Sequence, residues 1–156
     1  MPTTPNASEL AAILPGTWNV RATNFPMWLT RERTNPRFTY ELVGESPLTL
    51  RDDVSYSTTD DAEKHILGVD KWVGEGFVWR GKGPLKVARS RWAVAGTDDA
   101  STVLAIRFEK TLFTPGGIDV LVRQGTELPE LRSLVARNTE QFGLSAEDFA
   151  SLTWLG

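Results

Sequence analysis

The sequence contains no cysteine and only one histidine among its 156 residues. The absence of cysteine excludes disulfide bonds, thiolate metal sites, iron–sulfur clusters and a cysteine nucleophile. His65 alone cannot supply the usual tetrahedral zinc ligands, and without a Gly-x-Ser-x-Gly elbow it does not support a Ser-His-Asp hydrolase. We therefore expect no metal and no cofactor, so that any chemistry must use oxygen and nitrogen groups.

Long apolar runs and an excess of positive charge are absent as well. No stretch approaches the roughly 18 consecutive apolar residues of a membrane helix, so we expect no membrane span. Residues 1–9 lack the basic and apolar regions of a signal peptide, which favours a cytoplasmic protein. The formal net charge of −3 argues against nucleic-acid binding, because phosphates need a basic face. Nothing in the sequence excludes a homodimer.

Turn residues divide the middle of the chain into short β-rich runs. Their spacing predicts eight antiparallel strands in a meander. No run between Trp18 and Arg123 has helical periodicity beyond one turn, which excludes parallel βαβ units. The predicted strands are residues 17–22, 38–43, 48–57, 65–73, 77–80, 85–95, 103–110 and 118–123.

Helices are predicted only towards the two ends of the chain. Asn6 begins a capping box, and the short helix that follows ends at Pro15. A longer helix is expected over residues 129–143, and the capping box at Ser145 begins another short one. Their apolar faces contain Leu10, Ile13 and Leu14, then Leu131, Leu134, Val135, Asn138 and Phe142, and finally Phe149, Leu152 and Leu155.

Eight sequential antiparallel strands can remove their exposed edges by closing into a barrel. A barrel of that size holds side chains or one small ligand. We therefore predict an all-β fold, an eight-stranded antiparallel up-and-down barrel, with a β-sandwich as the alternative. Because no linker or repeat interrupts the sequence, residues 1–156 are expected to form a single domain. The barrel would span about 16–125, and a C-terminal helical segment would span 128–156.

The motif Gly16-Thr17-Trp18, which follows a short helical lead, resembles the Gly-x-Trp pattern of lipocalins and the wider calycin superfamily. In that family the tryptophan closes one barrel end and an arginine on the last strand covers it, which matches Arg123. The run at residues 109–119 is similar to one in uncharacterised lipocalin-like proteins of microbes. The resemblance implies a lipocalin-like barrel with a C-terminal helix on its wall. It implies a fold and no particular reaction.

Aromatic residues exceed what the core of a tightly packed small barrel needs, which predicts an aromatic-lined cavity. The longest connection, at residues 23–37, carries an apolar run at 25–29 that is typical of a lid. A plug that fills one barrel end is the alternative interpretation. The predicted ligand-binding residues are Phe25, Trp28, Phe38, Tyr40, Tyr56, Trp72, Trp79, Trp92, Arg107 and Phe108.

Strand alternation places one carboxylate, that of Asp52, on the same face as Leu50 and Val54. A buried carboxylate is costly unless it is paired, so Asp52 is a candidate ligand-binding or acid/base group with a raised pKa. A bulge that returns it to solvent is the alternative. Arg107 and Glu109 are either a polar anchor at the cavity mouth or an exposed pair.

The leading functional hypothesis is that the barrel cavity binds a hydrophobic or aromatic small molecule. The alternative is a cofactor-independent enzyme, a cyclase or isomerase, that would use Asp52, Glu109 or Tyr40 for proton transfer. A third interpretation is a stability or interaction module without a ligand. The sequence does not decide whether a reaction is catalysed.

Overall fold

The computed structural model describes residues 2–83, 89–111 and 115–155, and strands dominate it. The strands are β1 (Gly16–Thr23), β2 (Thr34–Glu45), β3 (Leu48–Ser57), β4 (Glu63–Trp72), β5 (Phe77–Gly81), β6 (Arg89–Thr97), β7 (Val103–Phe108), β8 (Gly117–Arg123) and β9 (Thr153–Trp154). The helices are α1 (Ala7–Ile13), α2 (Leu131–Arg137) and α3 (Ala146–Ser151), and a 3₁₀ turn occupies Pro26–Trp28.

Strands β1 to β8 form a closed antiparallel barrel. Each strand pairs with the next along the chain, as short loops favour. Strand β1 also pairs with β8, so the sheet closes on itself and the barrel has no free edge between its first and last strands. The prediction of an up-and-down barrel is confirmed, and the sandwich alternative is wrong.

Strand β3 has the predicted bounds, and most of the other strands differ by one or two residues at an end; the two main departures are in β2 and β6. Strand β2 begins at Thr34 rather than at residue 38, because Thr34 pairs with Ser57 beyond a bulge that interrupts the alternation. The connection from β1 to β2 is therefore shorter than expected. In the predicted sixth strand, residues 85–88 lie outside the described residues, and β6 continues to Thr97.

Helix α2 ends at Arg137, one turn or more before the predicted end at residue 143. The cause lies at Asn138, whose backbone has a φ of −131°. Its side-chain amide donates to the carbonyl oxygen of Leu134 at 2.7 Å, while its backbone N–H turns to Val135 at 3.0 Å. The side chain thus takes the acceptor that the next helical turn would use. By contrast, both predicted capping boxes, at Asn6 and Ser145, are confirmed.

Strands β7 and β8 are buried on both faces. Leu104 and Ile106 point into the barrel, while Val103 and Ala105 pack outside against the C-terminal helices. The short strand β9, which the alternation did not predict, extends this outer layer by pairing with β1. The helices therefore cover one wall and leave the barrel interior to the other side chains. None of the helices in the described ranges is long and apolar enough to cross a membrane.

Candidate ligand-binding cavity

A cavity of about 620 Å³ lies inside the barrel. Its lining includes the connection from β1 to β2, the start of β6 and the end of β7. The cavity therefore reaches the barrel end at which β1 leads into β2. The volume falls within the range of small-molecule sites, which is about 300 to 1,000 Å³. Its walls are formed by the inward side chains of Phe38, Tyr40, Asp52, Val54, Ile66, Trp79 and Phe108.

Most of the aromatic residues predicted from the sequence lie in this lining. They are Phe25, Trp28, Phe38, Tyr40, Trp79 and Phe108. Tyr56 lies behind the lining, where its ring packs against Trp28 with centroids 5.8 Å apart. The indole ring of Trp79 packs directly on the backbone of Gly68. A Cβ at position 68 would collide with the indole nitrogen, so this packing requires a glycine there.

Trp72 and Trp92 lie outside the cavity lining and form the packed core beneath it. Trp92 stacks on Phe77 with ring centroids 4.6 Å apart and on Tyr40 at 5.7 Å. Trp72 meets Phe77 edge to face at 5.2 Å. These rings fill the barrel interior below the cavity. Trp72 and Trp92 therefore support the residues that line the cavity and do not line it themselves, contrary to the prediction.

Arg107 lies outside the barrel, which corrects its predicted place among the ligand-binding residues. The alternation of β7 turns Phe108 inward and Arg107 outward. The guanidinium donates to the backbone carbonyl of Gly143 and to Oδ2 of Asp148, both at 3.0 Å. Arg107 therefore ties β7 to the C-terminal helices. Glu109 is exposed at the cavity rim.

Asp52 lies inside the cavity and is only 4% exposed. Strand β3 pairs with β4 without a bulge, so the alternation of Leu50, Asp52 and Val54 continues through the strand. Tyr40 is the partner of Asp52 across the β2–β3 pairing. The strand register thus brings a carboxyl and a phenol to the same level of the cavity.

Two further buried carboxyls were missed by the sequence analysis, those of Asp70 and Asp119. Asp70 alternates with Gly68 and Trp72 on the inward face of β4, a signal that the sequence does contain. Asp119 also lines the cavity, and it lies in β8 between Ile118 and Val120, which are buried as well. Because β8 is apolar on both faces, alternation could not reveal which way Asp119 points.

The three carboxyls have few partners. Nε1 of Trp92 donates to Oδ1 of Asp70 at 2.9 Å. Oδ2 of Asp70, Oδ1 of Asp52 and both oxygens of Asp119 have no hydrogen-bond partner, and the buried Nε1 of Trp79 has none either. Within the described ranges, none of these carboxyls forms an ion pair with a basic side chain. Buried polar atoms without partners are uncommon and call for a physical explanation.

The opposite barrel end is closed by α1 and by a stacked pair of side chains. The guanidinium carbon of Arg123 lies 4.3 Å from the ring centre of Trp18. Arg123 also donates to the carbonyl oxygens of Ile13 and Pro15, and Nε1 of Trp18 donates to Leu14 at 2.9 Å. This is the geometry that the resemblance implied for the pair. Its contribution to stability stays a prediction.

No protein-family model matches the sequence, and no curated protein matches it. Solved structures do resemble it. Lobster apocrustacyanin A1 superimposes with a TM-score of 0.63 at 10% identity, over 99% of this chain and 87% of that one. The tryptamine complex of the amine-binding protein of Rhodnius prolixus gives 0.64 at 12%, over 99% and 84%. The cockroach allergen Per a 4 gives 0.63 at 13%, over 94% and 87%.

The fold is lipocalin-like. The predicted resemblance to the calycin barrels is confirmed at the level of the fold, which is what likeness at such low identity establishes. What the lipocalin-like barrel does has to be argued from its own cavity.

Burial controls the ionisation of groups inside this lipocalin-like barrel. Burial raises the pKa of Asp119 to about 7, although the nearby Thr23 hydroxyl opposes the rise. The pKa of Tyr40 is raised well above 10, first by burial and then by the charges of all three cavity carboxyls, those of Asp52, Asp70 and Asp119. Tyr40 therefore stays a neutral phenol, while Asp119 changes charge near neutral pH.

Asp52 and Asp70 behave as a linked pair of carboxyls. Burial raises the pKa of Asp52 to about 6, while its interaction with Asp70 lowers it and the charge of Asp53 raises it. Burial and the neighbouring Asp52 carboxylate raise the pKa of Asp70 well above its usual range. Burial therefore favours a proton on this pair, and the two carboxyls titrate as one linked unit. The described residues contain no carboxyl or histidine cluster that could hold a metal ion.

Proposed function

We propose that the barrel binds a small hydrophobic or aromatic molecule in its cavity. The single observation that carries this proposal is the aromatic-lined volume of about 620 Å³. Protein interiors are close-packed, and an unfilled space of this size in a core is strongly destabilising. An occupant would fill this space and restore the lost contacts. The amine-binding protein of Rhodnius prolixus, which has a similar fold, was solved as a tryptamine complex, and this supports a small-molecule ligand for the present barrel.

The segment at residues 25–28 would act as the lid of this site. Phe25 packs on Phe108 with ring centroids 5.3 Å apart, and it lies against Gly117, where a Cβ would come within 2.5 Å of its ring. Trp28 packs against Tyr56 behind it. These are side-chain contacts between a loop and the barrel rim, so movement of the loop would open the cavity without breaking a strand.

The test is a titration with N-phenyl-1-naphthylamine, an uncharged aromatic probe whose fluorescence rises in apolar surroundings. We expect saturable binding at one site per chain. Val54→Trp would fill the cavity and should lower the affinity by at least about tenfold, since the ring and the probe cannot occupy the same space. Val43→Trp is the matched control, because Val43 is 56% exposed on the barrel surface.

Circular dichroism must confirm that both variants are folded. If the wild-type protein does not bind the probe, or if folded Val54→Trp binds it as tightly as the control does, the cavity is not the binding site.

A second candidate is a cofactor-independent cyclase or isomerase, and one specific observation favours it. Asp52 and Asp70 are neighbouring buried carboxyls that titrate as a linked pair beside the Tyr40 phenol, an arrangement that can hold and release a proton at the cavity wall. Asp52 and Tyr40 would transfer protons to a bound substrate, whereas Glu109 at the rim would act only near the mouth. In that case Asp52→Asn should abolish turnover while ligand binding persists. If the variant keeps both turnover and binding, Asp52 is not catalytic.

A further inference from the structure

The charge balance inside the cavity is one-sided. Asp52 and Asp119 lie in its lining, and Asp70 is close enough for its charge to act on Tyr40 together with theirs. The basic side chain of Arg89 in the described lining is exposed, as is the acidic Glu109. The described interior therefore contains ionisable acids and no buried base.

Asp119 is the carboxyl whose surroundings are least complete. It is 1% exposed, and neither of its oxygens has a hydrogen-bond partner. Asp52 can share the proton of Asp70, and Asp70 also accepts from Trp92. Asp119 has beside it the neutral hydroxyl of Thr23, which lowers its pKa but carries no positive charge. A desolvated carboxylate is unfavourable unless a cation or several donors accompany it, so a ligand with a positive group would supply what is missing.

The walls favour the same kind of ligand. Phe38, Phe108 and Trp79 present aromatic rings to the cavity. Aromatic faces attract organic cations and also stack against aromatic rings. An anionic ligand such as a fatty acid would meet repulsion from the carboxyls and no buried base. A neutral alcohol could donate one hydrogen bond but would leave the negative charge unbalanced.

We propose that the ligand of this cavity is an aromatic amine bound as its ammonium cation, with Asp119 as its partner and the field of Asp52 adding to the attraction. This inference rests on the proposed function, because it names the chemical class of the molecule in the same cavity. The ring of the amine lies among Phe38, Phe108 and Trp79, and the ammonium group points to β8.

Binding of the cation is linked to the ionisation of the carboxyls. Among the residues that the structure describes, the titratable or charged groups that face the site are Tyr40, Asp52, Asp70 and Asp119 inside, with Arg89 and Glu109 at the mouth. Since Asp52 and Asp119 ionise near pH 6 and 7, a cation binds better as pH rises through this range and displaces protons from them. A neutral ligand has no such dependence.

The experiment compares 2-(1-naphthyl)ethylamine with 2-(1-naphthyl)ethanol, which has a similar shape and no charge. The dissociation constant of each compound is measured by displacement of N-phenyl-1-naphthylamine and checked by calorimetry. At pH 8 we expect the wild-type protein to prefer the amine by about 10- to 100-fold, the range for a hydrogen bond to a charged group. At pH 5 the preference should shrink to about 3-fold or less, because the carboxyls are protonated.

Variants assign the effect to particular carboxyls. Asp119→Asn should bind the alcohol as the wild-type protein does and lose most of its preference for the amine, and Asp52→Asn should lose part of it. Glu75→Gln is the control, because Glu75 is exposed in the turn between β4 and β5, at the barrel end away from the cavity mouth. Glu75→Gln should keep the full preference.

The two proposals fail in different ways. If the protein binds the naphthyl alcohol and the naphthyl amine with equal affinity at pH 8, the amine inference is overturned and the proposed function is intact. Absence of binding by all three compounds overturns both. If Asp119→Asn does not fold, the wild-type pH comparison still decides, because an amine preference that is unchanged between pH 5 and pH 8 contradicts a role for these carboxyls.

Discussion

Asp52, Asp70 and Asp119 are chemically identical side chains with different surroundings. Asp70 accepts a hydrogen bond from Trp92, Asp52 lies beside Asp70, and Asp119 has no hydrogen-bond partner. Burial is the largest cause of the raised pKa in all three. The remaining causes differ: they are Asp70 and Asp53 for Asp52, Asp52 and Trp92 for Asp70, and the Thr23 hydroxyl for Asp119.

The first prediction concerns Asp119 and the pH dependence of folding stability. Its pKa rises from 3.8 to about 7 on folding, so the ionised form is disfavoured in the folded state. The free energy of unfolding should therefore fall as pH rises from about 4 through about 7, by about 4 kcal/mol at most for this group. Urea titrations of the ligand-free protein at several pH values measure this fall.

Asp119→Asn keeps the shape of the side chain without its charge, so it should flatten that part of the curve. Glu75→Gln, in the exposed turn between β4 and β5, is the surface control and should keep the wild-type slope. Equal slopes for Asp119→Asn and the wild-type protein would mean that Asp119 is not buried as an unpaired acid.

At the scale of the elements, α1, β1 and β8 meet at the closed barrel end. Trp18 is fully buried there, and Arg123 covers its indole while donating to carbonyl oxygens at the end of α1. A lysine could stack on the ring but could not bond both carbonyls with a planar fork. The contact therefore joins the first and last strands of the barrel to the helix that caps it.

The second prediction is that Arg123→Ala lowers stability and leaves ligand binding unchanged. A partly screened cation–π contact and hydrogen bonds from the same charged group are together worth roughly 2 kcal/mol. We expect Arg123→Ala to lower the melting temperature by about 5 °C and Arg123→Lys to lower it by less. Calorimetry measures the melting temperature. A fully stable Arg123→Ala protein that no longer binds the naphthyl probe would contradict the structural role.

The whole barrel has two unlike ends. Helix α1 and the Trp18–Arg123 contact close one end, where Trp18 shares a buried core with Leu10 and Leu14. The other is covered by the segment at residues 25–28, whose side chains line the cavity. Stability and access are thus assigned to opposite ends, and mutations at the two ends should have separable effects.

The third prediction is that Trp28→Ala weakens ligand binding by more than its loss of stability explains. Trp28 is 4% exposed and contributes one cavity wall, so its removal opens the site to water. We expect the affinity for N-phenyl-1-naphthylamine to fall by about tenfold, in line with the loss of apolar contact area. Trp154→Ala is the control, because Trp154 packs outside the barrel against Phe149. Unchanged affinity in folded Trp28→Ala would exclude the lid.

The local pattern of residues was sufficient for several parts of this structure. Turn residues and two-residue alternation predicted all eight barrel strands. The alternation in β3 also predicted that Asp52 faces the barrel interior, where it is buried. The capping boxes at Asn6 and Ser145 marked two helix starts. These features depend on neighbours within a few residues, which is the range over which a sequence pattern carries direct information.

Only the tertiary structure decided the rest. Asp119 was hidden because the C-terminal helices bury the outer face of β8, and a strand that is apolar on both faces has no alternation to read. Strand β7 has apolar side chains on both faces for the same reason, so only the structure shows that Arg107 lies on the outer face, where it donates to Asp148. The pairing of Asp52 with Asp70 joins residues on neighbouring strands. Facing, burial and pKa depend on what lies across space, and strand periodicity reports only which residues share a face.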